Sequence, residues 1–222
     1  LSMPVEKVTK IRMWVSLIRD IIWDFDGTLF DTYPGTVNSF RKALGDNGID
    51  ETNENILDYM KVSESYAITH FKELYGLDND FIDKYTAYKK SIKPETVIPF
   101  PFAEEVCRQF VALGGRNYII THRGDSTLRF LQHYGMMCYF TEVITKNYGF
   151  KRKPDPEAFI YLIEKYQISK GTALVIGDRE CEILGGKAVG IRTCLYNTNN
   201  VSVNVAPDFY IDSLKKLVDI IN

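Results

Sequence analysis

The sequence predicts an α/β fold: a doubly wound, mainly parallel sheet, interrupted after its first strand by an all-helical insert. Three observations carry that expectation. Two segments, residues 17–23 and 172–177, read as strands buried on both faces, and the short apolar run in each leads into an acid. Between residues 33 and 97 the apolar residues recur with a helical period throughout. From residue 98 onward strand and helix patterns alternate, which is the signature of parallel strands joined by crossover helices.

Composition bounds the function. At 222 residues, 45% of them hydrophobic and 25% charged, the chain matches an ordinary soluble globular protein with ample material for a core. A net charge of -2 argues against a nucleic-acid partner or an anionic membrane surface. No apolar run approaches the ~18 residues a membrane span needs. Cys107, Cys138, Cys181 and Cys194 lack C-x-x-C spacing and read as reduced core thiols of a cytoplasmic protein. Residues 1–16 form a charged, amphipathic N-terminal extension without the features of a signal peptide. Leu1 and Ser2 read as a remnant ahead of a native start at Met3 or Met13.

Taken in order, the first strand ends in Asp24-Phe25-Asp26-Gly27-Thr28, where glycine and a hydroxyl residue stop an apolar run abruptly. The helical insert then places Val37, Phe40 and Leu44 on one face, followed by Phe71, Leu74 and Tyr75, and by Phe81, Ile82, Tyr85 and Tyr88. Gly48 and Gly76 stand where helices end, Ser63 and Asp78 or Asn79 where they begin, and Pro94 marks the exit. The insert's aromatic residues read as its own core. Beyond Pro99 a helix carries Phe102, Val106, Phe110 and Leu113, then a short strand, residues 117–121, ends on Thr121. Asp125 or Ser126 opens the next helix, with Leu128, Leu131 and Tyr134 inward. A short strand at 142–145, a loop at 146–153 and a helix bearing Phe159, Leu162, Ile163 and Tyr166 lead to the second buried strand. Gly185 and Gly186 in the helix after it cost helix propensity and so point to close packing on the sheet. Strands at 191–196 and 209–211 and a helix from Ser213 complete the pattern, with a polar surface loop at 197–204.

An isolated Asp-x-Asp is as readily a solvated turn as a site. Here, however, four strand ends or nearby loops carry Asp24 and Asp26, Thr121, Lys153, and Asp178. A doubly wound sheet gathers such points at one edge, outside the carboxyl ends of its strands. Three carboxylates there offer hard oxygen ligands suited to Mg²⁺. A hydroxyl and an ammonium beside them suit the oxygens of a transferring phosphoryl group.

With these residues in place the sequence resembles the haloacid dehalogenase-like hydrolases, in their phosphatase branch. Asp24-Phe-Asp26-Gly-Thr28 is similar to that superfamily's first motif, Ile119-Ile-Thr121 to its second, Lys153-Pro-Asp-Pro to its third, and Ile176-Gly-Asp178 with Glu182 to its fourth. The order is the family's own. The resemblance implies a Rossmann-like catalytic core over residues 17–32 and 98–222, with residues 33–97 as a small helical cap. It implies that Asp24 is a nucleophile forming an aspartyl-phosphate, and that Asp26 serves both half-reactions as acid and base. Asp24, Asp178 and the Asp26 backbone carbonyl would hold Mg²⁺, Lys153 would pair with Asp24 and the phosphoryl group, and Thr121 would hold a phosphoryl oxygen.

One position departs from the pattern. The family's fourth motif usually has a second aspartate where this chain has Glu182, whose extra methylene suits a contact to a metal-bound water or to Lys153 rather than direct ligation. His122 and Arg123, next to Thr121, are candidates for substrate binding. The expected activity is Mg²⁺-dependent hydrolysis of a small phosphomonoester by a monomer or homodimer. Three rivals stand beside it: a phosphomutase of the β-phosphoglucomutase type, a 2-haloacid dehalogenase, and a silent binding protein. Asp26 speaks against the dehalogenase, whose chemistry has no alkoxide to protonate. Glu182 is the only hint of lost turnover.

Overall fold

A computed structural model describes residues 18–197 and 203–221. The N-terminal extension, the first residue of the expected first strand and most of the polar loop at 197–204 lie outside the described residues. Six strands, β1 (Asp20–Trp23), β2 (Arg116–Ile120), β3 (Phe140–Ile144), β4 (Ala173–Gly177), β5 (Arg192–Tyr196) and β6 (Phe209–Ile211), form one sheet in the order β3-β2-β1-β4-β5-β6. Every pairing is parallel. β1 lies between β2 and β4, so the strand order reverses at its carboxyl end. That reversal opens a crevice where ligands bind in sheets of this kind.

Strand alternation sends successive side chains to opposite faces. Ile21, Trp23, Ile119, Leu174 and Ile176 join one buried cluster, while Ile22, Tyr118, Ile120, Ala173 and Val175 join the other. Helices cover both faces: α5 (Ala103–Ala112), α6 (Ser126–His133), α7 (Glu157–Tyr166), α8 (Glu180–Ala188) and the short α9 (Leu217–Ile221), which follows a 3₁₀ turn. Between β1 and α5 lie α1 (Tyr33–Gly45), α2 (Asn53–Val62), α3 (Glu64–Tyr75) and α4 (Asn79–Lys90). These four enclose a core of their own. Phe40 sits at its centre with Phe71, Phe81 and Tyr85 edge-on at 5.4, 5.0 and 5.0 Å. Thr52, Ser63 and Asp78 side chains each accept from a backbone N–H of the first turn they cap.

Several expected core residues face solvent instead. Phe102 adopts φ 69° in the turn ahead of α5, and Leu113 follows the last turn of that helix, so neither lies on its buried stripe. Leu74 and Tyr75 fall in the final turn of α3, where Phe71 already fills the slot facing Phe40. Among the cysteines Cys107 and Cys194 are buried, whereas Cys138 is exposed and Cys181 half-buried; all four are free.

The α8 glycines are tightly packed. A methyl group on Gly186 would stand 2.6 Å from Thr193 Cγ2 and 3.1 Å from the Val175 Cβ, and one on Gly185 would stand 2.6 Å from the Phe159 ring. Gly186→Ala is therefore expected to lower the unfolding free energy by about 1–3 kcal/mol through overpacking, measured by urea denaturation. No loss of stability would mean that α8 can lift from the sheet at little cost.

Candidate active site

The backbone brings the acids to one edge. Asp24 extends β1 by one residue: its N–H donates to Ile176 O at 2.8 Å, which carries the ladder to β4 one step past the strand. The chain then reverses through Gly27 at φ 81°, a conformation that favours glycine. A side chain at Gly27 would also collide with the Asp178 carboxylate and the Tyr33 ring. Thr121 extends β2 in the same manner, donating from its N–H to Ile144 O at 2.9 Å. Asp178 directly follows β4, Glu182 lies in the first turn of α8, and Lys153 arrives on the loop before α7.

Lys153 is the hub. Its ammonium donates to Asp24 Oδ1 at 2.5 Å, to Ile120 O at 2.9 Å, and lies 2.8 Å from Glu182 Oε1, so all three donors are used in a site closed to solvent. Burial alone would raise Glu182, yet Lys153 and Arg179 outweigh it and bring it down to about 2. The other two carboxyls move the opposite way. Burial pushes Asp24 up to about 6 against the pull of Lys153. Asp178 is driven by burial up to about 8, with Asp24 adding to the rise and Arg179 opposing it. Asp24 Oδ2 and Asp178 Oδ1 are buried without a hydrogen-bond partner. One oxygen from each of Asp24, Asp178 and Glu182 lies within 4.8 Å of the others. Two orphaned carboxylate oxygens beside a third acid, with too little positive charge to hold all three ionised, form a donor set that fits a hard divalent cation.

A second cluster surrounds Asp26. Its Oδ1 accepts from Arg123 at 2.7 Å and from the Thr32 hydroxyl at 2.6 Å, while the Thr121 hydroxyl reaches Oδ2 at 3.4 Å. Burial works to raise Asp26, but the Arg123 guanidinium holds its carboxyl well below the usual carboxylate range. Asp26 is thus ionised here and an acceptor only. His122 accepts the Lys153 backbone N–H on Nε2 at 2.7 Å. Burial, reinforced by the nearby Lys153 and Arg152, pulls the imidazole down to about 3, so it is neutral and carries its proton on Nδ1.

A cavity of about 60 Å³ opens on Asp24 and Asp26 and is closed from the helical side by Thr36, Met60, Glu64 and Lys89. Glu64 and Lys89 form an ion pair at 2.6 Å, and the Tyr85 hydroxyl donates to Glu64 at 2.7 Å. The structure therefore gathers Asp24, Asp178, Glu182 and Lys153 at one point and Asp26, Thr121 and Arg123 beside it, with His122 behind Lys153. The sequence reading did not find Tyr33, whose hydroxyl donates to Asp178 Oδ2 at 3.0 Å, nor the Glu64–Lys89 pair. Tyr33 carried a usable signal in its place five residues after the first motif. The pair had none, because its two residues sit on different helices.

The family profile of the haloacid dehalogenase-like hydrolases matches residues 21–196, which runs from β1 through β5 and includes every residue of the site just described. The chain belongs to the haloacid dehalogenase-like hydrolases. It is 27% identical to a phosphoglycolate phosphatase from Vibrio vulnificus strain CMCP6, over 92% of this chain and 96% of that one. Among solved structures it is similar to a hydrolase from Streptococcus pneumoniae TIGR4, 36% identical with a TM-score of 0.64, covering 91% and 98% of the two chains. A predicted phosphoglycolate phosphatase from Haemophilus somnus superposes with a TM-score of 0.80 at 20% identity, covering 92% and 98%. This haloacid dehalogenase-like hydrolase is accordingly a phosphatase-type enzyme with a Rossmann-like core and a helical cap. Among the described residues no helix is long and apolar enough to cross a membrane.

Proposed function

We propose that the protein is a Mg²⁺-dependent phosphatase acting on a small phosphomonoester through an aspartyl-phosphate on Asp24. The observation that carries this reading is the pair of buried oxygens on Asp24 and Asp178 that accept no hydrogen bond, beside the Lys153 ammonium. In this reading residues 33–97 cap a core formed by residues 17–32 and 98–222, and the enzyme works in the cytoplasm as a monomer or homodimer. Asp24, Asp178 and the Asp26 backbone carbonyl would hold Mg²⁺, with Glu182 serving it through Lys153 rather than by ligation. When bound, the ion supplies the positive charge that lets an anionic nucleophile meet an anionic ester.

The chain's own residues do the rest. An Asp24 oxygen forms a bond to phosphorus as the bond to the leaving oxygen breaks, and Lys153 and the Thr121 hydroxyl steady the phosphoryl oxygens. Water then attacks phosphorus, Asp26 takes its proton, and phosphate departs with the Asp24 carboxylate restored. Asp26, kept ionised by Arg123, is already set for that second half-reaction. Serving as acid toward the leaving alkoxide requires the guanidinium to draw back from it first.

The test is a panel of phosphomonoesters with an aryl phosphate as reference, assayed with Mg²⁺ and with EDTA. Turnover is expected to vanish in EDTA and to return with Mg²⁺. Undiminished hydrolysis in EDTA would defeat the metal assignment. Mg²⁺ binding also has a readout independent of turnover: at about a hundred times its dissociation constant it should add about 2.7 kcal/mol to stability, seen as a raised Tm.

A further inference from the structure

The cations around the active-site cavity are unequally engaged. Lys89 is paired with Glu64 at 2.6 Å, Arg123 with Asp26 at 2.7 Å, Lys153 with Asp24 and Glu182, and Arg179 with Glu182 at 3.5 Å. Arg152 also lines the cavity, and among the described residues its guanidinium has no ion pair or hydrogen bond. Its neighbour in the lining, His122, spends Nε2 on the Lys153 N–H and leaves its Nδ1–H without a partner. A free guanidinium next to a free N–H donor is an arrangement that recognises an anion. Its place is fixed by Lys153, whose backbone N–H holds His122 and whose ammonium holds Asp24. His122 and Arg152 therefore face the same cavity as the nucleophile, with His122 held beside the lysine that contacts it.

We propose that Arg152, with the Nδ1–H of His122, forms a subsite for a second anionic group on the leaving group, so that the enzyme selects small phosphate esters or anhydrides whose leaving group bears a carboxylate or a further phosphoryl. This rests on the phosphatase reading above and adds to it the chemical class of substrate and the residue that reads it. Among the described residues, Arg152 is the only cation of the cavity lining that can meet an incoming charge without first giving up a partner. A neutral sugar or alcohol leaves that guanidinium solvated and gains nothing from it.

The experiment compares kcat/KM for phosphoglycolate and inorganic pyrophosphate with kcat/KM for glycerol phosphate and p-nitrophenyl phosphate, in the full-length protein and in Arg152→Gln and Arg152→Lys. The wild-type protein is expected to favour at least one of the two anionic substrates. In Arg152→Gln that preference should fall about 10- to 100-fold, the span set by one lost hydrogen bond to a charged group. Arg152→Lys, which keeps the charge, should retain part of the preference. A carboxylate ligand shows as loss on phosphoglycolate, a phosphoryl ligand as loss on pyrophosphate. A wild-type preference for the neutral esters, or a preference unchanged in Arg152→Gln, would overturn the subsite while leaving the phosphatase reading intact. Hydrolysis of none of the four would overturn the phosphatase reading itself and the subsite with it.

Discussion

Asp24→Asn is expected to reduce phosphomonoester turnover by roughly 10⁴-fold or more, because it removes the nucleophile and not a supporting contact. The substitution keeps shape and volume, and Lys153 retains its contacts to Glu182 and Ile120 O, so the fold should persist. Indeed the Asp24 carboxylate is costly to hold ionised in the absence of metal, since burial pushes it up to about 6. The variant without metal should be at least as stable as the wild type near neutral pH. What it should lose, besides turnover, is the rise of Tm on adding Mg²⁺, since an amide oxygen is a poorer ligand for a hard cation than a carboxylate. The measurements are single-turnover phosphate release and thermal unfolding with and without Mg²⁺. Activity within tenfold of wild type would remove Asp24 from the chemistry, and an unchanged Mg²⁺ response would remove it from the metal site.

The legibility of this site in the sequence follows the range of the interactions involved. β1 and β4 were readable because strands buried on both faces carry apolar runs, Ile21 to Trp23 and Ala173 to Ile176, and the acids behind them stand out against those runs. Gly185 and Gly186 were readable because glycine inside a helix costs stability and needs a compensating close approach, which Phe159, Thr193 and Val175 supply. Helix ends were less legible. Phe102 and Leu113 fit the apolar period of α5 and yet lie outside it, because periodicity does not say where a helix stops. The Arg123–Asp26 and Glu64–Lys89 pairs were not legible as pairs, since each joins residues from separate elements and depends on how those elements pack. The same limit hid Tyr33's bond to Asp178, which spans from the start of α1 to the end of β4.

Lys153→Met should be the most destabilising change in the site. The methionine side chain fills a similar volume, so the effect isolates the charge. Loss of the ammonium leaves the Asp24 carboxylate buried without its ion-pair partner and Glu182 with Arg179 alone at 3.5 Å, and breaking a buried pair from one side costs about 3–5 kcal/mol. The sign of the pH dependence separates this cause from simple loss of packing. In the wild type Glu182 sits at about 2, below its ordinary value of 4.5, so its contribution is present above that value and lost as the pH falls toward 2. In the variant burial acts on Asp24 and Glu182 without Lys153 to oppose it, so both folded values lie above the wild-type ones, Asp24 above its wild-type value of about 6, and the folded state takes up protons as the pH falls. The gap in stability between variant and wild type, measured by urea unfolding in EDTA, should therefore narrow from about pH 8 to about pH 5. Packing defects do not titrate. A gap that stays constant across that range would assign the loss to the methionine's fit and deprive the Lys153 ion pairs of their structural role, whereas a narrowing gap ties the stability of the sheet edge to the same charge balance that readies Asp24 for phosphorus.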